Sequence, residues 1–225
     1  MALIAAYRFE ETGNNDRVGQ VGGEPNLPVV ANNWSSTAGL LNDAAVSTDG
    51  GAFETYTVGT LAGIRSVSIS IWVKPVSGFG RIELSESGNL VSLYFGDNGI
   101  SPASASIQSS MMDSVFVNGT TPDGNWRHFV LTFNNSTGEA KLYENGSLVD
   151  TQTNASVVFS ADKTSINLNA PNTGELQCDM LLIYDSVIDS TTVSDLYNGG
   201  AGYDPTMGGG GGGSTGAGLL LLGVG

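Results

Sequence analysis

Trp126-Arg127-His128-Phe129-Val130-Leu131-Thr132-Phe133, followed after a short polar loop by Lys141-Leu142-Tyr143-Glu144-Asn145-Gly146-Ser147-Leu148-Val149, decides the fold class of this 225-residue chain. Alternation puts Trp126, His128, Val130 and Thr132 on one strand face and Arg127, Phe129, Leu131 and Phe133 on the other. Asn145-Gly146 stands between two strand-like runs. A type I′ turn needs positive φ at both central residues, which Asn and Gly accept most readily. The stretch predicts a long antiparallel hairpin that ends in a second, tighter one.

The same period of two recurs at residues 66–74, where Val67, Ile69, Ile71 and Val73 share one side and Trp72 stands among serines on the other. Further strands are predicted at 3–9, 52–58, 81–84, 90–95, 104–108, 114–117, 156–159, 165–168 and 176–184, with a polar loop over 10–23. Only residues 190–197 carry a helical period, with Val193, Leu196 and Tyr197 at i, i+3 and i+4 and Asn198-Gly199 as the stop. Many short strands with close turn signals and no βαβ alternation imply an all-β sandwich or barrel.

Composition bounds the partners. The chain has 22 acidic and 8 basic residues, a formal net charge of −14. Phosphate binding needs clustered Lys and Arg, so nucleic acid is not an expected partner, and an anionic membrane surface is equally disfavoured. No run approaches the roughly 20 apolar residues of a membrane span. Cys178 is the only cysteine, so no intramolecular disulfide can form. The opening Met1-Ala2-Leu3-Ile4-Ala5-Ala6-Tyr7-Arg8 lacks a basic region and a long apolar run, so no signal peptide is expected and synthesis in a host cytoplasm is. The Asn-x-Ser/Thr sequons at Asn118, Asn145 and Asn154 are read as turn chemistry.

Four segments, in order, carry a resemblance. Tyr7-Arg8-Phe9-Glu10-Glu11 through Asp16, Ser68-Ile69-Ser70-Ile71-Trp72-Val73-Lys74-Pro75, the opening hairpin, and Asp179-Met180-Leu181-Leu182-Ile183-Tyr184 running on to Leu196-Tyr197-Asn198-Gly199-Gly200 together resemble the laminin-G-like, concanavalin-A-like jelly rolls. Met180 and Leu182 depart from the family's usual acid and polar residue. The resemblance implies an antiparallel two-sheet jelly-roll sandwich over residues 1–204, with one short helix near its end. Residues 205–225 form a separate Gly/Leu-rich tail, with six glycines from Gly208 to Gly213 and four leucines, Leu219, Leu220, Leu221 and Leu222. These residues are expected to serve assembly.

The resemblance also implies a structural calcium ion, with Asn15, Asp16 and Asp179 as oxygen donors. Asp179 shares strand parity with Leu181 and Ile183, which points it into the sandwich, and the alternative role is to accept backbone amides. Glycosidases of this superfamily place alternating acids along one strand, about 5–5.5 Å apart when they retain configuration. The nearest match, Glu83-Leu84-Ser85-Glu86, has a serine at the helper position and its two glutamates on opposite faces, so it reads as two solvated acids at a strand end. His128, the only histidine, is read as a packing residue. Trp34, Tyr56 and Tyr94 are the aromatic candidates for ligand contact, with Trp72 and Trp126 reserved for the framework.

The expected function is that of a non-enzymatic structural and interaction protein of a phage-like virion, as a capsid decoration or a tail-associated protein. Its partners would be other virion proteins or copies of itself in a homo-oligomer. The alternative is a glycan-binding lectin module for host-surface adhesion. A glycosidase is disfavoured by the missing acids.

Overall fold

The computed structural model describes residues 1–11, 16, 18–21, 34–47, 53–57, 65–75, 78–86, 89–97, 104–108, 114–119, 123–159, 165–169 and 175–207. Among them the chain runs β1 (Leu3–Tyr7), β2 (Trp34–Ala38), β3 (Asp43–Ser47), β4 (Phe53–Thr57), β5 (Val67–Pro75), β6 (Gly78–Glu86), β7 (Asn89–Asp97), β8 (Ser104–Gln108), β9 (Ser114–Asn118), β10 (Arg127–Asn134), β11 (Glu139–Glu144), β12 (Ser147–Thr153), β13 (Ser165–Asn169), β14 (Leu176–Tyr184) and α1 (Ser190–Tyr197). The strands form two antiparallel sheets. An eight-stranded sheet has the order β12-β11-β10-β5-β14-β3-β2, with β1 added beside β14, and a six-stranded sheet has the order β4-β13-β6-β7-β8-β9. This is the expected jelly-roll sandwich. Its helix is the one read from the 190–197 period.

The core lies between the sheets because one parity of each strand is apolar. Ile69, Ile71, Val73, Phe129, Leu131 and Phe133 from the larger sheet are fully buried, and they share one cluster with Ile82, Leu84, Val91, Leu93, Ile107, Ile166 and Leu168 from the smaller. A second cluster covers the outer face of the larger sheet, where Trp72, Val130, Tyr143, Met180, Leu182 and Tyr184 pack under Val193 and Leu196 of α1. That helix starts at Asp189, whose side chain accepts from the amide of Thr192 at 2.8 Å, and ends at Asn198 in the left-handed conformation, φ 49°.

The opening hairpin forms in the register its alternation requires, from Phe129 opposite Glu144 to Asn134 opposite Glu139. At the tighter turn Asn145 and Gly146 have φ of 49° and 77°. Asn145 is also wired back to β10: the His128 amide donates to Asn145 Oδ1 at 3.0 Å, and the Asn145 amide donates to the His128 carbonyl at 2.8 Å. A Cβ on Gly146 would come within 2.9 Å of Tyr197 Cδ1. The Trp-x-His, Asn-Gly and Leu-Tyr-Asn-Gly-Gly segments therefore meet at one place, with Trp72 stacked on both His128 and Tyr197 at centroid distances of 5.0 and 5.8 Å.

Two expectations are corrected. Residues 156–159 form no strand. Val157 and Phe159 are buried from an irregular segment, held where the Phe159 amide donates to Asn135 Oδ1 at 2.6 Å. The hairpin of β2 and β3 was not expected, because its small Ser, Thr and Ala residues carry little hydrophobic alternation. Of the three sequon asparagines, Asn145 and Asn154 act as turn residues while Asn118 ends β9: Asn154 donates to the Ser114 carbonyl and accepts from the Ser156 amide, both at 3.0 Å. With Asp150, which accepts from the Asn118 amide at 2.9 Å, Asn154 joins edge strand β9 of one sheet to the β12 side of the other.

After α1 the chain is clamped to the end of β1. Arg8 pairs with Asp204 at 2.6 Å and donates to Thr206 Oγ1 at 2.7 Å. Gly208, Gly213 and Leu219 to Leu222, expected to serve assembly, lie outside the described residues.

Candidate ligand-binding face

On β6 and β7 the residues that alternate with the core side chains Ile82, Leu84, Val91 and Leu93 occupy the outer face of the six-stranded sheet. Arg81 pairs there with Tyr94, and Glu83 with Ser92. The rung through Glu83 crosses the whole sheet as Thr55, Asn167, Glu83, Ser92, Ser106 and Phe116. Although it faces away from the core, Ser92 is fully buried and Glu83 is only 8% exposed, whereas Phe116 at the sheet edge is 55% exposed. The described side chains of this row are two recessed polar ones, Glu83 and Ser92, and the exposed ring of Phe116 at the edge.

Glu83 differs from the other buried carboxylates. Glu144 pairs closely with Arg127, Asp204 is held by Arg8 and by both the amide and hydroxyl of Thr206, and Asp179 accepts two backbone amides. Glu83 has Arg81 Nη1 at 3.5 Å and Ser92 Oγ at 3.5 Å, both on Oε2. A desolvated carboxylate without close donors is costly unless something else supplies them. The expectation that Glu83 is solvated at a strand end is thus overturned: it lies inside a nine-residue strand and is only 8% exposed. Its register neighbours are Arg81 and Ser85 along the strand and Ser92 and Asn167 across it, and none of these four is an acid.

Of the aromatic candidates, Tyr94 lies on this face, half-buried beside Arg81. Trp34 heads β2 opposite Ser47, and Tyr56 stands in β4 opposite Ile166; their side chains lie outside the described residues. Sequence reading missed Arg81, Ser92 and Phe116. The signal was the alternation of Arg81 and Glu83 with Ile82 and Leu84, which assigns the polar pair to the outer face.

Asp179 is fully buried, but the direction expected for it is corrected. A β-bulge between Asp179 and Leu182, with Met180 at φ 47°, resets the parity of β14. Asp179 stands opposite Trp72, on the outer-face register, while Leu181 and Ile183 enter the core. Its Oδ2 accepts the amides of Leu40 and Leu41, each at 2.9 Å, from the turn between β2 and β3. Gly39 permits that approach, since a Cβ there would lie 2.8 Å from Oδ2. Burial pushes the carboxyl up to about 7 against the opposing pull of the backbone amides of Leu41, Leu40 and Met180.

Oδ1 of Asp179 is buried without a hydrogen-bond partner, which fits an oxygen donor to calcium. Among the described residues no three Asp, Glu, His or Cys side chains gather to hold a metal. Asp16 is exposed and Asn15 lies outside the described residues. An ion here would take its other oxygens from backbone carbonyls and water.

The family model of the concanavalin A-like lectin/glucanases superfamily matches residues 47–194. The chain belongs to this superfamily. No curated protein matches at the sequence level. Among solved structures, the chain is similar to the binding domain of botulinum neurotoxin DC in complex with SialylT, at 15% identity and TM-score 0.68, covering 89% of this chain and 52% of that one. It is similar to the binding domain of Paraclostridial mosquitocidal protein 1, at 14% identity and TM-score 0.66, covering 87% and 52%. Domain 4 of AbnA, a GH43 extracellular arabinanase from Geobacillus stearothermophilus in complex with arabinotriose, has 24% identity and TM-score 0.67, covering 86% and 97%. The chain spans about half the length of the toxin domains, and at these identities the likeness is one of fold.

Proposed function

We propose that the chain is a non-catalytic glycan-binding module whose recognition surface is the outer face of the six-stranded sheet around Glu83. The observation that carries this reading is the nearly buried carboxylate with no donor closer than 3.5 Å among the described residues. Sugar hydroxyls are donors of the kind it lacks, and Tyr94 and Phe116 supply ring faces for the apolar side of a pyranose or furanose. Membership of a superfamily of lectins and glucanases supports the reading, as do neighbours solved with SialylT and with arabinotriose. The absence of an acid beside Glu83 in the strand register supports binding over hydrolysis.

The test is binding to a panel of immobilised glycans. At least one glycan should be retained, and Tyr94→Ala or Phe116→Ala should weaken its binding about tenfold, a typical loss for a stacked ring, with melting unchanged. A panel that retains nothing, or alanine variants that bind like the parent, would overturn the reading.

The module's setting is a phage-like virion, as a capsid decoration or tail-associated protein. The composition of residues 205–225, glycines followed by four leucines, favours this over a free lectin. A structural calcium at Asp179 completes the proposal. Added calcium should raise the melting temperature of chelator-treated protein, and Asp179→Asn should remove that response. Equal melting with and without chelator would leave Asp179 with its two amides alone.

A further inference from the structure

Resting on the glycan-binding reading, we infer that the strip around Glu83 selects neutral, hydroxyl-rich glycans and rejects those carrying carboxylates, such as sialylated or uronic-acid chains. The selectivity follows from where the charges stand. A carboxylate accepts hydrogen bonds and donates none, so Glu83 can receive sugar hydroxyls but repels a sugar carboxylate brought to the same place. Among the described residues its contacts, with Arg81 and Ser92, fall on Oε2, which leaves Oε1 as the acceptor for a ligand. Because Glu83 is only 8% exposed, that repulsion acts with little water to screen it.

An acidic sugar would need a cation, and the cation described on this face is already committed. Arg81, the cation in the strip, already lies beside Glu83, so the pair presents no net positive charge. The net charge of −14 adds a long-range field of the same sign.

The test pairs glycans that differ in charge and measures their affinities calorimetrically for the unmodified protein and for Glu83→Gln. Neutral arabino- and galacto-oligosaccharides should bind the unmodified protein at least about tenfold tighter than their sialylated or uronate-bearing counterparts. Glu83→Gln should weaken neutral binding about tenfold or more, the loss of a hydrogen bond to a charged acceptor, and narrow the gap to the acidic glycans. If acidic glycans bind the unmodified protein as tightly as neutral ones, the inference is wrong while the glycan-binding reading stands. It is equally wrong if Glu83→Gln melts like the parent and binds neutral glycans equally well. If no glycan of either class binds, the underlying reading fails and takes this inference with it. The comparison on the unmodified protein decides the matter even if Glu83→Gln does not fold.

Discussion

At His128 the imidazole stacks on Trp72, faces Tyr197 at a centroid distance of 6.3 Å, and meets Ser70 Oγ through Nε2 at 2.8 Å. No charged side chain takes part in these contacts, and burial holds its pKa down at about 3. The unfolded chain therefore binds a proton between about pH 6.5 and about pH 3 that the folded chain does not, so this site's contribution is present above about pH 6.5 and lost as pH falls. Asp179 runs the other way, because its raised pKa favours the folded state at low pH. The two separate by difference. Between pH 7.5 and pH 5 the parent should lose on the order of 2 kcal/mol of stability relative to His128→Gln, read from denaturant midpoints at each pH. A parent-to-variant gap that stays constant with pH would contradict a buried neutral imidazole. The packing role of His128 was expected from the family resemblance, which implies a packing histidine at that position. The direction of Asp179 was not, because one residue at positive φ, Met180, reverses the parity that alternation assumes.

At the scale of elements, β5, β10 and β14 form the centre of the larger sheet, each paired on both sides. Leu131 of β10 lies between Ile69 of β5 and Leu142 of β11 and is fully buried. Leu131→Ala should cost about 2–5 kcal/mol, by the lost transfer energy and the cavity left behind. Equilibrium unfolding in urea measures it, and a cost below about 1 kcal/mol would mean that the core collapses freely around the gap. β5 and β10 were readable because their apolar residues alternate strictly, and β14 because its apolar run is long, although its parity breaks at Met180. The hairpin of β2 and β3 was not readable, since Trp34-Ser35-Ser36-Thr37-Ala38 and Asp43-Ala44-Ala45-Val46-Ser47 offer small side chains on both parities. Its place depends on a distant residue, Asp179, accepting the amides of its turn. The recessed strip was half legible for a similar reason. Tyr94 was found by residue type, but the burial of Glu83 is a tertiary property that no local pattern encodes.

For the whole molecule, the ion pair of Arg8 with Asp204 and the hydrogen bond to Thr206 tie the segment after the helix to the first strand. Every packing contact described for the sandwich is complete before residue 208. Deleting residues 208–225 should therefore leave the melting temperature within a few degrees of the parent while weakening oligomer formation or particle attachment, followed by sedimentation and by co-purification with particles. Truncated protein that assembles and attaches as well as the full chain would move the interaction surface onto the sandwich. The closed sandwich also gives the molecule its own reporter. Cys178 is the chain's only thiol, fully buried on central strand β14 opposite Val73. A thiol-reactive dye can reach it only while the two sheets are parted, so the rate of native-state labelling reads the opening of the sandwich directly, without denaturant and without adding a probe by mutation.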